Sequence, residues 1–373
     1  MMDARDEGNQ EARLRNLEAA LRILRGAVAA KASDVHLKAA CVPRVRIRGQ
    51  VIPLEHPPLS PELVSTLLQS LAGVAGVDPV RWQNKQVDFS CEVPDLGRFR
   101  VHAYRQNGHW AGVLRYVRKS IPDLGALRLP AVVKRIAQAE RGLIMVTGAT
   151  GNGKSTTIAS LLEHINQKLP KHIVTLEDPI EYVFQDNIAS FSQREVGRDV
   201  DSIQQGLEGA LREDPDVLFV GECRTLSEFE VALHAAESGR LVITTFHATD
   251  VERALARVIA MFPNERQDQA RNRLADVLQA VISQKLLPHK GSNDLILCTE
   301  VLTRSPTVID CIRDAQRLRA ITAALEKGTN EYGSHSFDQI MMGLVRDGVL
   351  ALETAKAHVH SANDFVRAMN LSR

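Results

Sequence analysis

The nine residues Gly148-Ala149-Thr150-Gly151-Asn152-Gly153-Lys154-Ser155-Thr156 satisfy the pattern G-x-x-x-x-G-K-[ST]. The chemistry explains each residue type. Glycines let the backbone turn so that successive N–H groups face a phosphate chain, and the helix that follows points its positive end at the same place. Lys154 supplies a point charge for β and γ phosphates, and Ser155 offers a hydroxyl ligand to Mg²⁺. The candidate nucleotide-binding residues are therefore Gly148, Thr150, Gly151, Asn152, Gly153, Lys154, Ser155 and Thr156, with Ser155 also a candidate metal ligand. A buried strand, Leu143-Ile144-Met145-Val146-Thr147, runs into the loop, and Thr157 to Leu162 reads as the helix that should follow.

A phosphate loop alone binds nucleotide. Hydrolysis also needs one carboxylate to orient or deprotonate water and another to hold the Mg²⁺ shell, both at the C-terminal ends of neighbouring strands. Two further apolar runs end in acid: Ile173 to Leu176 leads into Glu177-Asp178-Pro179-Ile180-Glu181, and Val217 to Val220 leads into Gly221-Glu222. A fourth run, Leu241 to Ile243, ends in Thr244-Thr245-Phe246-His247, whose polar tip could sense a γ phosphate through a hydrogen bond.

These runs are unbroken and apolar, as expected of parallel strands buried on both faces, so the part that carries the chemistry reads as an α/β domain. The chain before it has a different texture. A leucine stripe, Leu14, Leu17, Leu21 and Leu24, suggests a first helix, and Ser60-Pro61-Glu62 suggests the start of another. Between and after them lie short alternating runs: Val35 to Leu37, Val45 to Arg48 turning at Gly49 into Val51 to Leu54, Val87 to Val93, Arg98 to Tyr104 and Gly112 to Val117. That pattern suits an antiparallel sheet with one solvated face. The expected domains are an α+β domain over 1–118, a linker over 119–126 broken by Pro122 and Gly125, and an ATPase domain over 127–373. Its part from 264 to 373 reads as mainly helical, with one strand near Leu295 to Val301.

Composition sets outer limits. Of 373 residues, 44% are hydrophobic and 24% charged, and 46 Lys and Arg against 45 Asp and Glu leave a net charge of +1. No global field draws the chain to nucleic acid or acidic membranes. Five scattered cysteines without a C-x-x-C pair read as small buried hydrophobes in a reducing compartment. Neither a secretion signal nor an uninterrupted apolar span is visible, and a soluble cytoplasmic protein is expected.

Taken in order, the motifs resemble the secretion and pilus motor ATPases, and most closely the type IV pilus retraction ATPases PilT and PilU. The resemblance is carried by SDVHL at Ser33, GRFRVHAY at Gly97, the phosphate loop, EDPIEY at Glu177, QREVG at Gln193, LREDPD at Leu211, GECRT at Gly221, AAESGRLVITTFHATD at Ala235 and SQKLLP at Ser283. It spans nearly the whole chain. It implies a PAS-like N-terminal domain followed by a RecA-like ATPase domain with a helical C-terminal part. Glu181 would be the catalytic carboxylate, Glu222 a Walker B residue acting on Mg²⁺ through water, Glu177 part of the acidic box, and His247 the histidine-box residue. Arg98, Arg100 and Arg115 resemble arginines that reach a nucleotide on a neighbouring subunit, although Arg98 and Arg100 alternate with Phe99 and Val101 as on any solvated strand face.

The implied protein is a homo-hexamer that hydrolyses ATP with Mg²⁺. It would work at the cytoplasmic face of the inner membrane, at the pilus base, against a pilus platform protein and alongside a paralogous retraction ATPase, without nucleic acid. Departures from the family pattern are Arg240, where a second histidine is common, Ala248-Thr249-Asp250, and a stretch from Ser305 to Asp314 that matches the retraction motif AIRNLIRE only in part. The ending around Ser361 to Phe365 looks more like PilU. Alternatives are an accessory PilU-like subunit dependent on a partner motor, an extension or type II secretion ATPase, and a nucleic-acid translocase.

Overall fold

The computed structural model describes residues 18–371 apart from 20, 48, 118, 119 and 293. Leu14 and Leu17 of the expected first helix, together with Arg48 and Lys119, lie outside the described residues. The chain divides into two compact units, Met1–Ser120 and Ile121–Arg373.

In the first unit, helix α1 (21–29) precedes strands β1 (Asp34–Lys38), β2 (Arg44–Ile47) and β3 (Gln50–Pro53). Helix α2 (Pro61–Val74) and strands β4 (Gln86–Val93), β5 (Gly97–Gln106) and β6 (His109–Val117) follow. The six strands pair in the order β3-β2-β1-β6-β5-β4, antiparallel throughout. Alternation decides the faces. Val35, Leu37, Phe99, Val101 and Ala103 point into one core with Leu24, Leu67, Leu68 and Leu71 from the helices. Helix α2 begins as its sequence indicates, with the Ser60 hydroxyl accepting from the Leu63 N–H at 3.1 Å and Pro61 in the first turn. A Cβ at Gly112 would stand 2.7 Å from Leu68 Cδ2, so glycine in β6 is what lets α2 lie close.

The second unit is built on seven strands in the order β13-β12-β7-β11-β10-β8-β9. Strands β7 (Gly142–Thr147), β8 (His172–Glu177), β9 (Ser190–Glu195), β10 (Val217–Val220), β11 (Leu241–Phe246) and β12 (Leu278–Pro288) run parallel, and β13 (Leu295–Thr303) pairs antiparallel with β12. Helices α3 (Ala131–Ala137) and α4 (Lys154–Asn166) cover one face with Val133, Ile136, Ile158 and Leu161. The other face carries α5 (Ile203–Ala210), α6 (Leu226–Glu237), α7 (Val251–Ala260), α8 (Gln267–Val277) and α9 (Pro306–Arg313). Both faces being covered explains the continuous apolar runs of β7, β8, β10 and β11.

The structure differs from expectation at three places. Two sheet strands escaped the sequence reading. Strand β9 is half-buried and polar (Ser-Phe-Ser-Gln-Arg-Glu) and shows no apolar run, and β12 places Ser283 and Gln284 inside the core, which cuts its apolar run short after Ala280-Val281-Ile282. The region from 264 onward is helical as expected but contributes two strands to the sheet, not one. The expected linker is no free tether either: Leu124 is 1% exposed in the core under α3 and α4, and the Ser160 hydroxyl donates to the Pro122 carbonyl at 2.6 Å. Beyond α9, helices α10 (Ile321–Lys327), α11 (Thr329–Tyr332), α12 (Phe337–Arg346), α13 (Leu352–Lys356) and α14 (Ala362–Leu371) follow. Phe337, Met341, Leu350 and Phe365 close a small core of their own over Leu287, Ile296 and Cys298 of β12 and β13. Among the described residues, no helix is long and apolar enough to cross a membrane.

Candidate active site

Parallel pairing brings the predicted residues to one edge. Val220 pairs with Leu176 and with Thr244, and Phe246 pairs with Thr147, so Glu177, Glu222, His247 and the phosphate loop all leave the sheet at its C-terminal side. The loop is shaped by its neighbours. Gly148 (φ +150°) lies so close to β12 that a Cβ would meet the Gln284 carbonyl at 2.8 Å. Asn152 donates through Nδ2 to that carbonyl at 3.0 Å, Gln284 Nε2 donates to Thr157 at 2.8 Å, and Thr147 and Ser283 share a hydroxyl hydrogen bond of 2.7 Å. The polar residues that hid β12 from the sequence reading are thus the ones that brace the loop; Asn152, expected to bind nucleotide, spends its side-chain amide on that brace.

Helix α4 starts at Lys154 after Gly153 in the left-handed conformation (φ +80°), with no side chain capping its first turn. Its leading N–H groups are left for an anion, and among the described residues no partner within the chain takes the Ser155 hydroxyl. Lys154 Nζ donates to the Gly148 carbonyl at 2.8 Å and to the Ala149 carbonyl at 3.2 Å. Burial lowers the Lys154 pKa, and the charges of Glu222 and Glu181 oppose that shift, so both carboxylates act on the lysine. Thr156 shares a hydrogen bond of 2.9 Å with the Tyr182 hydroxyl, tying α4 to the acidic loop.

That acidic loop hangs from Gln193 on β9. Its Nε2 donates to Glu177 Oε1 at 3.2 Å and to the Tyr182 carbonyl at 2.9 Å, while its Oε1 accepts from the Phe184 N–H at 2.8 Å. The Thr175 hydroxyl donates to the same Glu177 oxygen at 2.7 Å. Burial pushes the Glu177 carboxyl up to about 7, against the pull of Thr175, Gln193 and the Glu181 backbone and with the Glu181 charge adding to the rise. Glu181 itself is exposed. Across the cleft, Glu222 Oε1 lies 3.0 Å from His247 Nε2, and the Arg224 Nε donates to Glu222 Oε2 at 3.0 Å. Arg224 also stands 3.6 Å from Asp178, so one guanidinium joins the ends of β8 and β10. Arg224, Gln193 and Tyr182 are further neighbours of the site that were not expected from the sequence, and the signals that could have found them are the motifs GECRT, QREVG and EDPIEY in which they lie.

The three arginines of the first unit have different settings. Arg115 Nε donates to the buried Asp34 carboxylate at 2.8 Å; burial raises the Asp34 pKa, but Ser33, Arg115 and Arg46 together hold it below the usual carboxylate range. Arg98 is 8% exposed, lies opposite Glu92 in register and is engaged within the chain. Arg100 pairs in register with Arg115 and is exposed. Arg240 sits at the other end of β11 from His247, beside a polar basin of about 680 Å³ that Arg141, Lys171 and Asp216 also line, away from the phosphate loop.

The residues suit a nucleotide with Mg²⁺. Uncapped N–H groups, left-handed glycines and a half-buried lysine match a phosphate chain. Among the described residues no cluster of three or more His, Cys, Asp or Glu side chains forms a metal cage, and Mg²⁺ beside phosphates needs only one or two protein ligands.

The model of the family described as "Type II/IV secretion system protein" matches residues 13–325. The chain is 36% identical over 324 residues to the twitching motility protein of Neisseria gonorrhoeae, covering 87% of this chain and 86% of that one. It is 35% identical over 345 residues to the type IV pilus ATPase PilU of Pseudomonas aeruginosa, covering 92% and 89%. A crystal structure of the pilus retraction motor PilT with bound ADP superimposes with a TM-score of 0.85 at 38% identity, over 93% of this chain and 98% of that one. The chain belongs to the type II/IV secretion system protein family, within its branch of pilus retraction ATPases.

Proposed function

We propose that this chain hydrolyses ATP as a hexameric motor and that turnover drives retraction of a type IV pilus. One observation carries the enzymatic half: Lys154, at the head of an uncapped helix, leaves the sheet at the same edge as the ends of the adjacent strands β8 and β10, which lead into Glu181 and Glu222. Lys154 and the N–H groups of α4 would hold the phosphates, and Ser155 and Glu222 would hold Mg²⁺, which when bound offsets phosphate charge. Glu181, exposed at the cleft, accepts the proton of the attacking water; Glu177, buried behind it, keeps the acidic loop in place. His247 orients Glu222 and Arg224 closes the gap to Asp178. Arg100, with Arg98 and Arg115 beside it, is assigned to the nucleotide of a neighbouring subunit, where a guanidinium stabilises charge on the transferred phosphoryl group.

Similarity to PilT, PilU and a twitching motility protein supports the retraction half. The place of work that goes with this proposal is the cytoplasmic side of the pilus base, against an inner-membrane platform protein. A second reading, an accessory motor dependent on a paralogue, is favoured by the partial match of Ser305–Asp314, here the helix α9, to the retraction motif. Complementation separates them. In a strain lacking its retraction ATPases, this chain alone restores retraction of fluorescently labelled pili if it is autonomous. If pili retract only when a paralogue is supplied, the accessory reading replaces it; if neither condition retracts pili, the retraction assignment fails.

A further inference from the structure

One buried carboxylate joins the histidine-tipped loop to the C-terminal helices. Glu300, in β13, is 2% exposed. Its Oε1 accepts from the Val251 N–H at 2.7 Å, and its Oε2 accepts from the Phe337 N–H at 3.4 Å. Those amides open α7 and α12. A helix N-terminus has N–H groups without intrahelical acceptors and a partial positive charge, so a carboxylate between two of them makes a charge-assisted contact with each. Neither helix needs Glu300 as a cap: Asp250 caps α7 through the Arg253 N–H, and Ser336 with Gln339 forms a capping box on α12. What Glu300 adds is the connection.

Each end of that connection leads somewhere. Only Ala248, Thr249 and Asp250 separate His247 from α7, and the Arg257 guanidinium of α7 donates to the His247 carbonyl at 2.8 Å. On the other side, Phe337 anchors the C-terminal core, with Lys285 Nζ 4.0 Å from its ring centroid and donating to the His358 carbonyl at 3.0 Å. Burial raises the Glu300 pKa and the Asp250 charge adds to the rise, while the Val251 and Phe337 N–H groups and the His360 charge oppose it; burial lowers the Lys285 pKa, and the charges of Glu300, Asp250 and Asp338 oppose that shift. If α7 shifts as His247 makes or breaks its contact with Glu222, then either α12 follows or a buried N–H and a buried charge lose their partners, which is costly.

We infer that Glu300 is a positioning residue that couples the His247 loop to α12, so that nucleotide-linked movement reaches the C-terminal helices. The inference rests on the ATPase reading of the site. Hydrogen exchange read by mass spectrometry on the full chain, with and without a non-hydrolysable ATP analogue and Mg²⁺, tests it. In the wild type, protection is expected to change together at 151–157, 247–251 and 337–342. In Glu300→Gln the first two changes persist and the third is lost, and kcat falls roughly 3- to 30-fold with KM within about twofold. Val251→Pro deletes the α7 donor at a first-turn position where Pro is tolerated, and gives the same pattern if Glu300→Gln does not fold. Responses at 151–157 and 247–251 without one at 337–342 in the wild type, or a 337–342 response that survives in either variant, would overturn the coupling alone. No wild-type response at 151–157 would overturn the ATPase reading and the coupling with it.

Discussion

Glu222 and His247 meet at 3.0 Å across the tips of two neighbouring strands, β10 and β11. The pairing register dictates the meeting: Val220, the last residue of β10, lies beside Thr244, two residues before Glu222 and three before His247, and β11 runs on to Phe246, so both side chains stand at the same edge of the sheet. Arg224 holds the second oxygen of the same carboxylate, which leaves Glu222 with two fixed directions and little freedom to turn. His247→Ala should therefore lower kcat about 10-fold by loosening Glu222 while barely changing KM, and His247→Gln should recover part of the loss. Steady-state kinetics of the three proteins check this.

Gln193 offers a sharper test of the acidic loop. One amide serves Glu177, Tyr182 and Phe184 at once. Gln193→Leu keeps the volume and removes all three hydrogen bonds, leaving buried polar groups unpaired. We expect about 2–4 kcal/mol of lost stability by chemical denaturation, together with a kcat at least about 10-fold down. Gln193→Glu would place a second carboxylate beside Glu177 and should be worse still at neutral pH.

Glu177 sets a pH dependence whose sign follows from its raised pKa. A carboxyl that rises from 4.5 to about 7 on folding binds its proton more tightly in the native state than in the unfolded one. Its protonation therefore favours the fold below pH 4.5, that advantage shrinks between 4.5 and 7, and above 7 the buried charge costs about 3 kcal/mol. Glu177→Gln, which keeps an oxygen for Thr175 and Gln193, should raise Tm by several degrees at pH 8 and change it little at pH 4. Thermal unfolding at the two pH values decides the matter.

Arginines on the first unit can stabilise a phosphoryl group only on another subunit if the motor works in trans, so mass measurement with ATP and Mg²⁺ should find a hexamer. Arg100→Ala should then preserve the hexamer and lower kcat by roughly 10³-fold, the scale of an arginine finger. A chain that stays monomeric under those conditions would leave Arg100 without a target.

Much of the site was legible in the sequence, because loop, acidic ends and histidine each follow a strand that carries an apolar run, with threonines only toward its end, at Thr147, Thr175, Thr244 and Thr245. Helix α2 was equally plain, since Ser60 and Pro61 announce its start. Most of what stayed hidden has one cause: polar residues facing inward. Ser283 and Gln284 break the apolar signature of β12 because they bond to Thr147 and Thr157, and β9 reads as polar because Gln193 and Glu195 serve the acidic loop. The same inward polarity hid Glu300. Leu124 was read as part of a linker because Pro122 and Gly125 flank it, whereas its side chain is core.

The account stands on hydrolysis at one constellation, Lys154 with Glu181 and Glu222. Steady-state release of phosphate from ATP and Mg²⁺ by the purified wild type, measured beside Lys154→Ala and Glu181→Ala, tests it most directly. Turnover is expected in the wild type and a fall of about 10²-fold or more in each variant, with Glu181→Ala still binding nucleotide and Lys154→Ala binding it poorly. Wild-type turnover no greater than that of the variants would contradict it.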